Sequence, residues 1–149
     1  MVLLWNRARE NQQQLTDALG RYSKKVVEHW LSPRNFRLLE LPDGHARVTG
    51  PCGDTMEFCI RVANGDIAEA SFVTDGCVTS IAAGSMAVEL ASGGSIADAR
   101  HISRDDILEA LGGLPEEDEH CALLAANTLR GAVADYVNEV GEAWRRARR

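Results

Sequence analysis

Residues 54–74, DTMEFCIRVANGDIAEASFVT, leave few folds open to this chain. In the first half Met56, Phe58, Ile60 and Val62 alternate with Thr55, Glu57, Cys59 and Arg61. That period of two marks a strand with one apolar face. Asn64-Gly65 follows, and both residues tolerate the positive φ of a two-residue hairpin turn. IAEASFVT carries the alternation into another strand, and HARVTG upstream supplies a short first one. Two or three antiparallel strands with one apolar face need a cover.

The rest of the chain reads as helices able to supply it. Leu19, Tyr22, Val26 and Trp30 recur at helical spacing, which predicts one helix over residues 16–30. Thr16 or Asp17 would cap it, and Ser32-Pro33 would end it. VTSIAAGSMAVELAS, residues 78–92, is rich in small residues that permit close packing, and Gly93-Gly94 stops it. Ser95 can cap the short segment IADA. Ser103 with Asp106 reads as a capping box opening RDDILEAL, which Gly112-Gly113 closes. A long helix is expected over about residues 117–144, with Cys121, Ala125, Leu129, Ala132 and Tyr136 as its inward stripe. Strands first and helices after imply an α+β fold. It would hold a small, about three-stranded antiparallel sheet, helices on one face, and a long C-terminal helix.

A chain of 149 residues suits one domain. Aromatic residues make up only 5%, so Leu, Val, Ile and Ala must carry the core. The net charge of −6 argues against nucleic acid, whose affinity depends on cations meeting phosphates. The basic tail WRRARR, residues 144–149, is either a solvated helix end matched to the helix dipole or a contact for an anionic partner. No run approaches the about 20 apolar residues needed to cross a membrane. The opening MVLLWNRARENQQQ is too short in its apolar part for a signal peptide, and Glu10 and Asp17 do not suit a transit peptide. The chain therefore reads as cytoplasmic. There, four cysteines point to metal ligands, reactive thiols or core residues rather than disulfides.

Three cysteines stand at the ends of elements. Cys52 lies in the turn TGPCGDT, where Gly53 removes bulk and lets the Cys52 thiolate and the Asp54 carboxylate converge; a small buried cysteine near a turn is the plain alternative. Cys77 follows a strand and a glycine and opens a helix, whose dipole lowers a thiol pKa. Cys121 opens the long helix beside His120, and the same dipole argument applies. Neighbouring helical residues point about 100° apart, so His120 and Cys121 would flank a site rather than share a direction. Glu116, Glu117, Asp118 and Glu119 complement that helix dipole and are expected to be solvated. Cys59, in mid-strand on the face away from the apolar residues, reads as a bystander. Soft thiolates with one harder ligand suit zinc or iron–sulfur chemistry, although the spacings are not the close pairs of a zinc ribbon or ferredoxin. A cysteine hydrolase is not expected, because no histidine except His120 pairs with a cysteine. The residues alone lead to three thiolates plus Asp54 or His120.

The ordered set YSKKVVEHWLSPRN, GPCGDTMEF, FVTDGCVTSIAAGSMAVEL and LPEEDEHCALLAANTLRGAVADY resembles the IscU/NifU-type iron–sulfur cluster assembly scaffolds over about residues 21–137. The resemblance implies a scaffold rather than an enzyme, with its site at one tip of the molecule. Cys52, Cys77 and Cys121 would bind a transient 2Fe–2S cluster, with Asp54 as fourth ligand or release group and His120 as an alternative. Zinc would occupy the site when iron is absent. A cysteine desulfurase would supply sulfur to Cys121 first, or to Cys52 or Cys77, and apo-proteins would receive the cluster. YSKKV, with Tyr22, would lie in the desulfurase contact. The alternative within this resemblance is a zinc-bound sulfur acceptor that builds no cluster. A monomer or weak homodimer is expected.

Three departures qualify these expectations. The Leu-Pro-Pro-Val-Lys segment read by a dedicated heat-shock chaperone is replaced after Leu114-Pro115 by Glu116, Glu117 and Asp118, which puts chaperone-driven release in doubt. Residues 1–20 form an extension without a counterpart, ahead of a scaffold domain at 21–140 and a basic tail at 141–149. The extra domains of larger NifU proteins are not expected. His120, and the lack of an insertion before Cys121, set the chain apart from SufU-type relatives.

Overall fold

A computed structural model describes the backbone of residues 2–148 and the side chains of residues 12–148. The apolar start of the N-terminal stretch, Glu10, and Arg149 of the basic tail lie outside the described side chains. The order is α1 (Val2–Arg21), α2 (Lys24–Leu31), β1 (Gly44–Thr49), β2 (Thr55–Ala63), β3 (Asp66–Thr74), α3 (Val78–Ala91), α4 (Ile96–Ala99), α5 (Arg104–Leu111), a 3₁₀ turn (Glu116–Asp118) and α6 (Glu119–Ala147).

The three strands form one antiparallel meander, β1-β2-β3. Asn64 and Gly65 carry φ of 54° and 81°, as the hairpin turn requires. Met56, Phe58, Ile60, Ile67, Ala70 and Phe72 are buried and form the sheet's share of the core. A register shift between Arg61 and Val62 re-aims the end of β2. Helix α3 lies at the centre: ten of its fourteen residues are buried, so it is enclosed by neighbours rather than half-solvated. Gly84 sets its distance from the sheet, because a Cβ there would come within 2.4 Å of the Phe72 ring. Helix α6 packs on β1 and β2, with Ala132 against Gly44 of β1, and Cys121, Ala125, Leu129 and Ala132 of the expected stripe are buried. The capping box at Ser103 and Asp106, the Ser95 cap and the left-handed Gly112 all form.

Three sequence expectations need correction. The single helix over residues 16–30 is two helices. Thr16 and Asp17 lie inside α1, and the cap is Ser23, whose hydroxyl accepts the Val26 N–H and donates to the Leu111 carbonyl. A side chain that satisfies the start of a new helix competes with continuing the old one. Cys59 is not exposed on an outer face: it is 1% exposed. The segment between α2 and β1 crosses that side of the sheet. Phe36 bridges β3 at Phe72, Leu39 is buried, Arg61 donates to the Glu40 carbonyl, and Asp43 binds the Ile60 carbonyl and the Val62 N–H. The sheet is thus covered on both faces, by helices on one and by this segment on the other. The acidic segment before α6 is a 3₁₀ turn, and the long helix starts at Glu119 and runs to Ala147.

Buried His29 joins α2 to α3. Its Nδ1 lies 2.6 Å from Ser85 Oγ, which also accepts the Arg34 N–H at 2.8 Å, and its Nε2 lies 3.3 Å from a Glu89 carboxylate oxygen. Burial and nearby Arg34 lower the imidazole pKa.

Candidate metal centre

The β1–β2 turn, the β3–α3 loop and the start of α6 meet at one end of the sheet. The β1–β2 turn is closed by Gly50 N–H to the Asp54 carbonyl at 2.8 Å and Gly53 N–H to the Gly50 carbonyl at 3.0 Å. Gly53 takes φ +92°, open to glycine at no steric cost. Cys52 is exposed on this turn, and its sulfur lies 3.8 Å from where a Cβ of Gly50 would stand. The same point is 3.7 Å from the methyls of Leu124, one turn beyond Cys121 on α6. Asp75 ties the second loop to the first: its carboxylate accepts the Thr55 N–H at 2.8 Å.

Cys77 is the N-cap of α3 and is exposed. Its side chain makes no capping bond. Thr79 Oγ1 stands 3.4 Å from Cys77 Sγ and 3.3 Å from Cys121 Sγ. Ser80 Oγ donates to Asp54 Oδ2 at 2.9 Å and lies 3.4 Å from Cys121 Sγ. Asp54, Ser80, Cys121, Thr79 and Cys77 therefore form one connected chain of polar contacts drawn from three elements.

His120 and Cys121 do not diverge as the helix geometry suggested. His120 Nε2 reaches 3.6 Å from Cys121 Sγ, because the exposed imidazole folds back along its neighbour. The dipole argument for Cys121 also needs correction. The residue is 1% exposed, and burial raises its thiol pKa, with Cys77 and Asp118 adding to the rise; hydrogen bonds from Ser80 and Thr79 oppose it. Desolvation outweighs the two hydroxyl hydrogen bonds here.

Tyr22 lies beside Cys77. Together with Ala18, Trp30, Val78 and Ile81 they line an open groove of about 450 Å³ between α1, α2 and α3. Burial, and Asp118 after it, raise the Tyr22 phenol pKa. Arg21 of α1 reaches across to Glu117 at 2.9 Å and Asp118 at 3.8 Å, so the acidic segment is tied to the N-terminal helix rather than left wholly to solvent. Sequence reasoning missed this pairing, and it missed Thr79, Ser80 and Gly76. Nothing in the sequence beyond their place two and three residues after Cys77 marked the two hydroxyls.

Among the described residues, no three His, Cys, Asp or Glu side chains stand close enough as placed to hold one metal ion. Thiolates sharing an ion bonded at about 2.3 Å need their sulfurs within about 4 Å of each other, and Thr79 Oγ1 contacts both Cys77 and Cys121. The donors are soft thiols with a carboxylate and an imidazole, a set suited to iron or zinc. Side-chain rearrangement would be needed to close it on an ion. None of the described helices is long and apolar enough to cross a membrane.

Residues 21–143 match the NifU-like N-terminal domain family. The chain is 45% identical over 122 residues to the iron–sulfur cluster assembly scaffold protein IscU 1 of Archaeoglobus fulgidus, covering 81% of this chain and 80% of that one. It is 41% identical over 123 residues to the IscU scaffold protein of Aquifex aeolicus, covering 80% and 78%. The crystal structure of the N-terminal part of a nitrogen-fixing NifU-like protein from Brucella abortus superposes with a TM-score of 0.62 at 17% identity, covering 83% of this chain and 98% of that one, which supports the fold. This chain belongs to the NifU-like N-terminal domain family.

Proposed function

We propose that this chain is a scaffold on which an iron–sulfur cluster is built and from which it passes to apo-proteins. The observation that carries this reading is the polar chain joining Cys77 and Cys121 to Asp54 at the tip that also carries Cys52. The names of the similar proteins from Archaeoglobus and Aquifex support it.

The cargo is a 2Fe–2S cluster held by Cys52, Cys77 and Cys121, with Asp54 completing the shell and His120 at hand as its substitute. Thiolates bind cluster iron strongly; a carboxylate is a harder and poorer match, so that corner opens first to a recipient thiolate. Sulfur comes from a cysteine desulfurase persulfide, whose donor docks near Tyr22. A Cys77 thiolate attacks the outer sulfur of that persulfide. The donor S–S bond breaks, the donor cysteine leaves as thiolate, and a new persulfide forms on Cys77 with no net oxidation. Cys77 is favoured as first acceptor over Cys121 because it is exposed at the mouth of the groove, whereas Cys121 is buried.

Anaerobic incubation with ferrous iron, cysteine and a desulfurase tests this directly. A scaffold develops the visible absorption of a 2Fe–2S cluster and loses it to an added apo-ferredoxin. A protein that stays colourless while holding zinc and accepting sulfur would be a carrier, and the scaffold reading would fall.

A further inference from the structure

Thr79 and Ser80 are both fully buried, and neither hydroxyl bonds a backbone carbonyl of its own helix; within α3 only Thr79 has a partner, the sulfur of the N-cap Cys77. A buried hydroxyl without a partner costs about 1–3 kcal/mol, so a position that only needed filling would favour alanine or valine. Both also reach groups from other elements: the sulfur of Cys121 on α6 and, for Ser80, the carboxylate of Asp54 after the β1–β2 turn. Thr79 Oγ1 touches two sulfurs at once, and Ser80 Oγ touches a sulfur and a carboxylate.

Gly76 leaves the space in which the second contact forms. A Cβ there would stand 2.4 Å from Ser80 Oγ and 2.9 Å from Asp54 Oδ2. Its φ lies outside the left-handed region, so the backbone does not call for glycine. The room for the Ser80–Asp54 hydrogen bond does.

We propose that Thr79 and Ser80 are positioning residues of the metal centre. Thr79 aligns the sulfurs of Cys77 and Cys121, and Ser80 aims the Asp54 carboxylate toward Cys121, so that these donors close on one ion together. Groups that hydrogen-bond metal ligands from behind fix ligand direction, and their removal costs about 10–100-fold in metal affinity. The inference deepens the scaffold reading but does not need a cluster to be tested.

The probe is Co²⁺ alone, titrated anaerobically into the reduced full chain and followed by its thiolate-to-cobalt charge-transfer and d–d absorption. Thr79→Val removes the hydroxyl and keeps the volume; Ser80→Ala removes the other. Each is expected to weaken Co²⁺ binding about 10–100-fold and to shift the d–d bands. Thr79→Ser and Ser80→Thr, which restore a hydroxyl, are expected to recover most of the affinity. Thermal melting of each variant separates lost fold from lost alignment, since a well-folded Thr79→Val protein with weak cobalt binding cannot be explained by packing. Wild-type affinity and spectra in both hydroxyl-less variants would overturn the proposal. So would equal losses in the conservative pair. A wild-type chain that binds Co²⁺ but builds no cluster would sink the scaffold reading and leave this inference standing. One that builds and transfers a cluster equally well with or without the hydroxyls would do the reverse.

Discussion

Gly76→Ala tests how tightly the tip is built. The backbone at Gly76 is outside the left-handed region, so alanine is allowed there and would by itself stabilise slightly through the unfolded chain. The added Cβ, however, would sit 2.5 Å from Ser80 Cβ, against a practical floor of 3.0 Å. Rotating Ser80 can move its oxygen away but cannot move its Cβ, so the β3–α3 loop or the first turn of α3 must shift. Overpacking of this kind costs about 1–3 kcal/mol. The Ser80–Asp54 bond is lost as well, at about 1.5 kcal/mol, the lower end for a bond to a charged group because Asp54 is half-exposed and can rehydrate. Together these give about 3 kcal/mol. For a chain of this size each kcal/mol moves the melting point by about 2–4 °C, so a fall of about 6–12 °C is expected. Circular dichroism melts of wild type and Gly76→Ala measure it. Gly141→Ala serves as control: it lies in α6 with nothing within 4 Å of its Cβ and should be neutral or slightly stabilising. A Gly76→Ala protein melting within a degree of wild type would show that the tip yields freely and that the argument from close approach is wrong.

Four other outcomes follow from the structure. Asp54→Ala should still assemble a cluster but release it more slowly to apo-ferredoxin, measured by transfer kinetics; an unchanged rate would remove the carboxylate from release. Cys77→Ser should abolish a stable 2Fe–2S spectrum while Cys59→Ser keeps it, and the reverse result would show the ligand set to be wrong. Gly84→Ala should cost about 1–3 kcal/mol in chemical denaturation, because its Cβ meets the Phe72 ring at 2.4 Å. The lowered pKa of His29 means that, below about pH 6.5, the unfolded chain takes up a proton that the folded protein refuses. Its contribution is therefore intact above that value and is lost as pH falls toward the folded pKa. His29→Gln should flatten the acid side of the stability profile measured by melts from pH 7.5 to 5, and an unchanged slope would assign that loss to other groups.

The hairpin, the capping box and the α6 stripe were legible because each is set by neighbours in sequence: alternation, a turn dipeptide, or a cap three residues from its partner. The break at Tyr22–Ser23 was not. It depends on Ser23 meeting the Leu111 carbonyl, which no local pattern announces. The burial of Cys59 was not legible because its cover, residues 34–43, has no periodicity to reveal where it runs. At the site, the ligand candidates could be read from their glycine, proline and histidine neighbours. The hydroxyls behind them could not: Thr79 and Ser80 look like more small residues in a close-packed helix until Asp54 and Cys121 are seen opposite. For Cys121 the start of α6 was visible in sequence, whereas the burial that raises its thiol pKa accompanies α3 packing against α6.

The unequal depth of the three cysteines fixes the order in which damage strikes them. Peroxide or other dissolved oxidants meet Cys52 and Cys77 at the surface, while Cys121 stays enclosed. Oxidation therefore reaches the outer pair before Cys121, and what is caught at the sulfenic stage there can still be reversed by reductants.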